Sequence, residues 1–383
     1  MSLKELAEKT PATRDRYVDF LRAFSIATVV FGHWFIALIW WRNEAIGVYN
    51  AVGATSGLWL ATWVLQVMPV FFFVGGFSNH KTYKAMKARG EGYGDFMRSR
   101  AARLLTPTAV FIGLWLIAQV LFHIVDVGGD RTIRVSFLPF GPLWFLFVYL
   151  GVIALTPLTL RLHARFGVGA LAGLVTVAVL GDVLRFNEIA PGFGWLNLGA
   201  VWLFAHQLGY FYADGSLLRA GPRAHGLIAA FGLAGLVVLT NIGVYPRSMV
   251  GTDVETVSNM NPPTLCIVAL TLWQVGAALL LRDRVSRWLE KTRPWTAVIA
   301  ANSMIMTVFL WHMTAYLISI LLLHPVGLGH PTDSTASWWL QRPLWIAAPA
   351  LLLAAFVAVF GRFERPRSPA RAAEAQTDRG SAR

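Results

Sequence analysis

Asp19, Arg22 and His33 stand in the stretch YVDFLRAFSIATVVFGHWF, where the first apolar segment of the chain begins. His33 stands eleven positions after Arg22. That step turns an α-helix by roughly 1100°, about three full turns, so both residues share a face about 16 Å apart along the axis. Asp19 lies one turn before Arg22 and is placed to pair with a guanidinium that cannot lose its proton. His33, as a neutral imidazole, is a candidate general base toward a hydroxyl. The plainer readings are a histidine bonded to a neighbouring helix and an ion pair at a helix end. Against them stands the cost of ionisable groups inside a membrane, roughly 2.5–3.5 kcal/mol on insertion scales, which keeps them at protein interiors and pathways.

A second set follows the next apolar segment, where Lys81, Lys84, Lys87 and Arg89 precede Arg98, Arg100 and Arg103. Arg offers a planar fork to phosphate oxygens and Lys a compact charge, so this run is a seat for a polyanion such as a phosphorylated cofactor. Charge asymmetry across the membrane and anionic lipid also explain a basic inner loop without any ligand. Between the two sets, PVFFFVGGFSNH holds Gly75 and Gly76, which allow close approach of a backbone or a ligand, and Pro69, which is expected to bend or open the helix. Late in the chain, NSMIMTVFLWHMT carries Asn302, Ser303 and His312. Asn302 and His312 lie about 80° apart around a helix and can border one cavity. His312 reads as a hydrogen-bonding residue before a second base. Asn259, Asn261 and Gln274 are polar groups that need partners in a membrane.

Other chemistries find no support in the sequence. Cys266 is the single cysteine, so no intramolecular disulfide and no cysteine-based metal site is expected. The nine histidines are scattered, His324 and His330 falling in a loop beside Pro and Gly, and no metal site is expected. Neither a GxSxG elbow nor a GxxxxGK[ST] loop occurs.

The elements that must position these residues are membrane helices. The chain of 383 residues is 56% hydrophobic and only 14% charged, with a mean hydropathy of +0.55, against about 25% charged residues in soluble domains. The expected class is all-α and polytopic. Ten windows are long enough to cross about 30 Å of hydrocarbon: 20–41, 57–78, 105–125, 141–160, 168–185, 195–213, 225–244, 262–281, 296–323 and 343–361. The ninth is long enough to tilt or break near Met313 and Thr314. With the N-terminus inside, only Arg42, Arg131, Arg134, Arg185, Arg247 and Arg342 of the 33 Lys and Arg fall in outer loops. Both termini are therefore expected in the cytoplasm. The same bias accounts for the net charge of +13, so no nucleic-acid partner is expected.

The acids Asp126, Asp130, Glu188, Asp253, Glu255 and Asp333 fall in the outer loops. The most polar of these loops, YPRSMVGTDVETVSNMNPPT, is a lid or a connection. Residues 1–19 form a cytoplasmic segment with no removable signal peptide, 20–361 the ten-helix domain, and 362–383 a tail with the Ala, Arg, Ser and Pro bias of disorder. No half-to-half repeat is evident.

These pieces together resemble the membrane acyltransferase-3 family. Its first helix opens with Asp-x-x-Arg and a His after ten further residues, as Asp19, Arg22 and His33 do here. PVFFFVGGFSNH is similar to its phenylalanine-rich stretch ending in Gly-Phe, with Gly-Gly-Phe where Ser-Gly-Phe is common; the Arg-rich run into Pro107, GPLWFLFVYL and NSMIMTVFLWHMT also match. The resemblance implies transfer of an acyl group, often acetyl from acetyl-CoA or another acyl-CoA, to a hydroxyl. The acceptor would be a cell-envelope glycan, a lipid-linked sugar or a secondary metabolite. It further implies His33 as the essential base, Arg22 as the motif arginine with Asp19 beside it, and Arg98, Arg100 and Arg103, near Lys81 and Lys84, as the region of the CoA phosphates. The setting would be a multi-pass protein among the lipids of a bacterial cytoplasmic membrane. The alternative is a proton-coupled transporter using Asp19, Arg22 and His33 as a relay. A transporter predicts acids deep in several helices, and here Asp182 alone comes near that position.

Overall fold

The computed structural model describes residues 13–42, 45–124, 137–329 and 334–364, together with 5, 8, 10 and 11. Arg131, Arg134, Asp126, Asp130, His330, Asp333 and the tail beyond residue 364 lie outside the described residues. Among the described residues the fold is helical, with one small hairpin. Helix α1 (Arg16–Ile36) is capped by the Asp15 side chain, which accepts from Val18 N, so the helix begins a few residues ahead of the expected 20. It ends at Ile36, and the rest of the first apolar window is strand β1 (Ala37–Arg42), paired antiparallel with β2 (Ala45–Asn50). A continuous apolar run hides such a change, because helix and strand periodicities cannot be told apart within it.

Helices α2 (Trp59–Leu65) and α3 (Met68–Ala88) share the second window. Pro69 does not kink a helix here. It occupies the first turn of α3, where a missing N–H costs nothing, and the break falls just before it. Then follow α4 (Tyr93–Ile124), a 3₁₀ turn (Leu138–Leu143), α5 (Trp144–Ala154), α6 (Thr156–Phe166), α7 (Val168–Phe186), α8 (Asn197–Ala213), α9 (Ser216–Leu239), α10 (Leu265–Trp288), α11 (Thr292–Asn302), α12 (Ile305–Leu323) and α13 (Ala336–Phe360).

Eight helices among the described residues are long and apolar enough to cross a membrane, or nine when Leu138–Ala154 and Thr156–Phe166, bent by 54°, count as one span. The expected tenth is α8, whose 17 residues are nearly all buried; a helix walled in by protein needs less length than one facing lipid. The ninth window breaks at Ser303–Met304, between α11 and α12, and not at Met313–Thr314. Asn302 Nδ2 donates to the Asp19 carbonyl at 2.8 Å, and Glu364 accepts from Met306 N at 2.9 Å. The first turn of α1 and the last described residue therefore sit at the same end of the bundle.

Helix α1 packs against α3, α10, α11, α12 and α13. The tightest crossing elsewhere is α3 on α8. A Cβ on Gly76 would meet the His206 carbonyl oxygen, and one on Gly209 would meet the Phe73 carbonyl and Phe77 N. Membrane helices lack a hydrophobic drive to associate and rely on such close contact. Gly76→Ala must push backbone from backbone, so a loss of about 1–3 kcal/mol or more is expected. It should be read as a lower melting temperature in detergent, while Gly113→Ala, with open space around the new atom, leaves it unchanged.

Candidate functional site

The centre of the site is a pair of histidines on α1 and α12. His33 Nδ1 lies 3.1 Å from His312 Nε2, and His312 Nδ1 lies 2.6 Å from the Phe309 carbonyl oxygen. A carbonyl only accepts, so His312 Nδ1 must carry the proton. In the neutral ring Nε2 is then an acceptor, and His33 Nδ1–H must donate to it. This chain of donors leaves the lone pair of His33 on Nε2. The His312 carbonyl in turn accepts from Trp34 Nε1 at 3.1 Å, which ties the next residue of α1 to the same turn of α12. A base whose tautomer and ring plane are set by a buried partner is pre-organised for proton transfer.

His33 is exposed although its partner His312 is buried, and it borders a cavity of about 330 Å³. Gly32 and Phe35 from α1, Leu65 from α2, Gly141 and Trp144 from the turn into α5, and Phe309 and Met313 from α12 are among its walls. The polar loop between α9 and α10 belongs to this cavity as well. Val250 and Met260 line it, and the loop is fastened to α2 where Trp63 Nε1 donates to the Arg247 carbonyl at 2.9 Å and Met249 N to Thr62 Oγ1 at 2.9 Å.

About three turns back along α1, Arg22 Nη1 is 3.1 Å from Asp19 Oδ1, and its Nη2 donates to Ser78 Oγ at 2.6 Å. Asp19, 7% exposed, is also held by Arg14 Nε at 2.5 Å. Arg100 Nη2 reaches the Ser78 carbonyl at 3.2 Å and bonds Thr82 Oγ1. Its Nε is buried without a partner among the described residues. Arg103 is within electrostatic reach of Arg22, Arg100 and Glu364, and the Tyr149 hydroxyl within reach of Arg22 and Arg100. Gly75 makes room for that tyrosine: a Cβ there would run into its ring. Tyr149 stacks on Phe145 at 5.7 Å, and Phe145 lines the cavity, so the two parts of the site are contiguous. Asp19 and Glu364 supply the negative charge around Arg14, Arg22, Arg100 and Arg103, leaving an excess of positive charge.

The sequence-based candidates thus separate. Asp19, Arg22, Arg100 and Arg103 converge. Arg98 points away, its side chain 84% exposed and 3.9 Å from Asp95, because two residues turn a helix by about 200° from Arg100. Lys81 and Lys84 are exposed near the end of α3, in the neighbourhood of His80. Asn302 and His312 do not share one continuous helix; each bonds α1 at its own level. Ser78, Thr82, Tyr149 and Glu364 had no spacing signal, since their relation to Arg22 and Arg100 arises between helices. Asn259 and Gln274 bind backbone, the first the carbonyls of Pro246 and Ser248, the second that of Gln66. Among the described residues no group of three or more His, Cys, Asp or Glu is placed to hold a metal ion.

A family model described as an acyltransferase domain matches residues 15–362, which takes in every residue of both parts of the site except Arg14 and Glu364. No curated protein and no solved structure matches the chain.

Proposed function

Because the chain belongs to the membrane acyltransferase-3 family and is thereby a multi-pass membrane acyltransferase, we propose that it transfers an acyl group, acetyl in the simplest case, from acyl-CoA to an alcohol, with His33 as general base. The observation that carries this reading is the tautomer chain Phe309–His312–His33, which leaves a lone pair on His33 Nε2 at the wall of a cavity. The hydroxyl proton of the acceptor passes to Nε2 as its oxygen attacks the thioester carbonyl. The C–S bond then breaks, and the proton is available to the departing thiolate. General-base assistance of this kind contributes typically 10² to 10⁴-fold in rate.

The excess positive charge around Arg22, Arg100 and Arg103 fits the phosphates of CoA, with Asp19 holding Arg22 in place. The separation from His33, about 16 Å along α1, suits the extended pantetheine arm. On this reading the basic end of the bundle faces the cytoplasm, both chain termini lie there, and the membrane is the cytoplasmic membrane of a bacterium. The transporter alternative gains no support. Asp182, the one buried acid outside the site among the described residues, accepts from Leu265 N, Tyr245 Oη and Asn197 Nδ2 and serves as a joint between elements.

The test is acetyl-CoA binding and acceptor-dependent release of CoA thiol by the purified protein in detergent. Wild type is expected to bind and to release thiol; a protein that does neither overturns the donor assignment. Within the same assay Arg100→Ala should raise the KM for acyl-CoA roughly tenfold or more with little change in kcat, the mark of lost ground-state binding. Arg98→Ala, which removes only an exposed ion pair, should change it less than about twofold.

A further inference from the structure

The wall of the cavity beside His33 narrows the class of acceptor. Its side chains are aliphatic or aromatic except for Thr28, His33, Thr62 and Gln66. Two of these four are already engaged. Thr62 Oγ1 donates to the Trp59 carbonyl at 2.6 Å and accepts from Met249 N, while Gln66 bonds Met260 Sδ at 2.7 Å through Nε2 and Met68 N at 2.9 Å through Oε1. His33, Thr28 and the indole N–H of Trp144 are left to address a ligand. A free sugar brought to this chamber would bury several hydroxyl groups against hydrocarbon, at roughly 1–3 kcal/mol for each group left unpaired. An alcohol on an apolar body loses nothing of the kind: its single hydroxyl meets His33 and the remainder meets the wall.

The way in follows from what covers the cavity and what does not. Val52, Leu58, Val250 and Met260 close it on the side of the hairpin and the long loop. Elsewhere on its wall Leu65, Gly141 and Trp144 are exposed, and the apolar side chains of Val64 on α2 and Phe147 on α5, next along the same elements, are exposed as well; all five lie in segments apolar enough to cross a membrane. An exposed apolar rim on membrane-spanning segments is matched to lipid chains and not to water, which such side chains avoid.

Resting on the acyltransferase reading above, we propose that the acceptor is an alcohol carried on an apolar body, which reaches His33 sideways from the bilayer between α2 and the Leu138–Trp144 segment. The reaction joins its oxygen to the acyl carbon and breaks the C–S bond. The hydroxyl proton goes to His33 Nε2 and then to the CoA thiolate, so no further reactant is required. At about 330 Å³ the chamber is at the small end of small-molecule sites, and holds the part of the acceptor next to its hydroxyl while the rest stays in lipid.

The experiment uses the full chain in phosphatidylcholine nanodiscs with acetyl-CoA as donor, and compares dodecanol with glucose at equal total concentration by release of CoA thiol. Dodecanol is expected to accelerate release and glucose to leave it at the background rate. Gly141→Leu adds bulk where a Cβ meets nothing within 4 Å, so the new side chain displaces no neighbour and stands in the open space of the mouth. It should lower the dodecanol-dependent rate roughly tenfold or more and leave acetyl-CoA affinity unchanged. Acceleration by glucose equal to that by dodecanol, no acceleration by dodecanol, or an unaffected Gly141→Leu variant each overturns the proposal. A dodecanol-dependent rate that survives His33→Ala instead strikes the base assignment, so the two failures are told apart.

Discussion

Replacing His33 with alanine is expected to lower acyl transfer by roughly 10² to 10⁴-fold, the range that positioned general bases supply, while acyl-CoA binds as before. The separation of the two effects follows from the geometry. The arginines that fit the donor phosphates sit about three helical turns away from His33 and share no hydrogen bond with it. Because His33 borders a cavity, the truncation enlarges existing space instead of opening a void in a packed core. Isothermal binding of acetyl-CoA and single-turnover release of thiol, both on the purified variant, check the two halves. Equal loss in binding and turnover would mean that His33 helps to seat the donor; full turnover would remove it from the chemistry.

The second large effect concerns His312. Its Nε2 is the acceptor that fixes the His33 tautomer, and His312→Phe keeps the bulk while deleting that acceptor. The His33 ring is then free to carry its proton on either nitrogen and to rotate. Losing a buried hydrogen bond costs about 1–3 kcal/mol, which as transition-state energy is roughly tenfold to a hundredfold in kcat. His312→Gln offers an amide oxygen to the same Nδ1–H and should recover a large part of the rate. A packing role alone predicts the reverse order, with the isosteric aromatic better tolerated than the amide. The ratio of kcat values for the Gln and Phe variants, measured at saturating acyl-CoA, decides between them.

The pairing of these histidines shows where reading the sequence stops. Arg22 and His33 share a helix, so a rotation of about 100° per residue placed them on one face without any structure. Asp19 with Arg22 followed from the i,i+3 spacing, and the 3.1 Å ion pair bears it out. His312 stands 279 residues from His33, and no periodicity links two helices that distant in the chain. The same holds for Ser78 between Arg22 and Arg100, and for the loop between α9 and α10, whose polarity disguised its role as a cavity wall. The break at Ser303–Met304 was misplaced because Asn302 and Ser303, two polar residues inside a long apolar window, read equally well as one side of a continuous helix. Charge density put seven cations in one region, but only helix phase separates Arg100 and Arg103, which face the site, from Arg98, which faces solvent.

The break between α11 and α12 leaves backbone N–H groups at the start of α12 to be satisfied. The Glu364 carboxylate does so, accepting from Met306 N and Thr307 N at 2.9 Å and from Thr307 Oγ1 at 3.0 Å. These bonds join residues 57 and 58 positions apart, and the carboxylate that makes them lies just past the C-terminal end of the matched domain. During synthesis, α12 emerges well before Glu364 exists, and the helix that bears His312 stays uncapped until the ribosome has translated nearly the whole domain. The first turn of the helix that bears His312 is therefore secured only once Glu364 has been translated, although every residue of that helix is made some forty or more positions earlier.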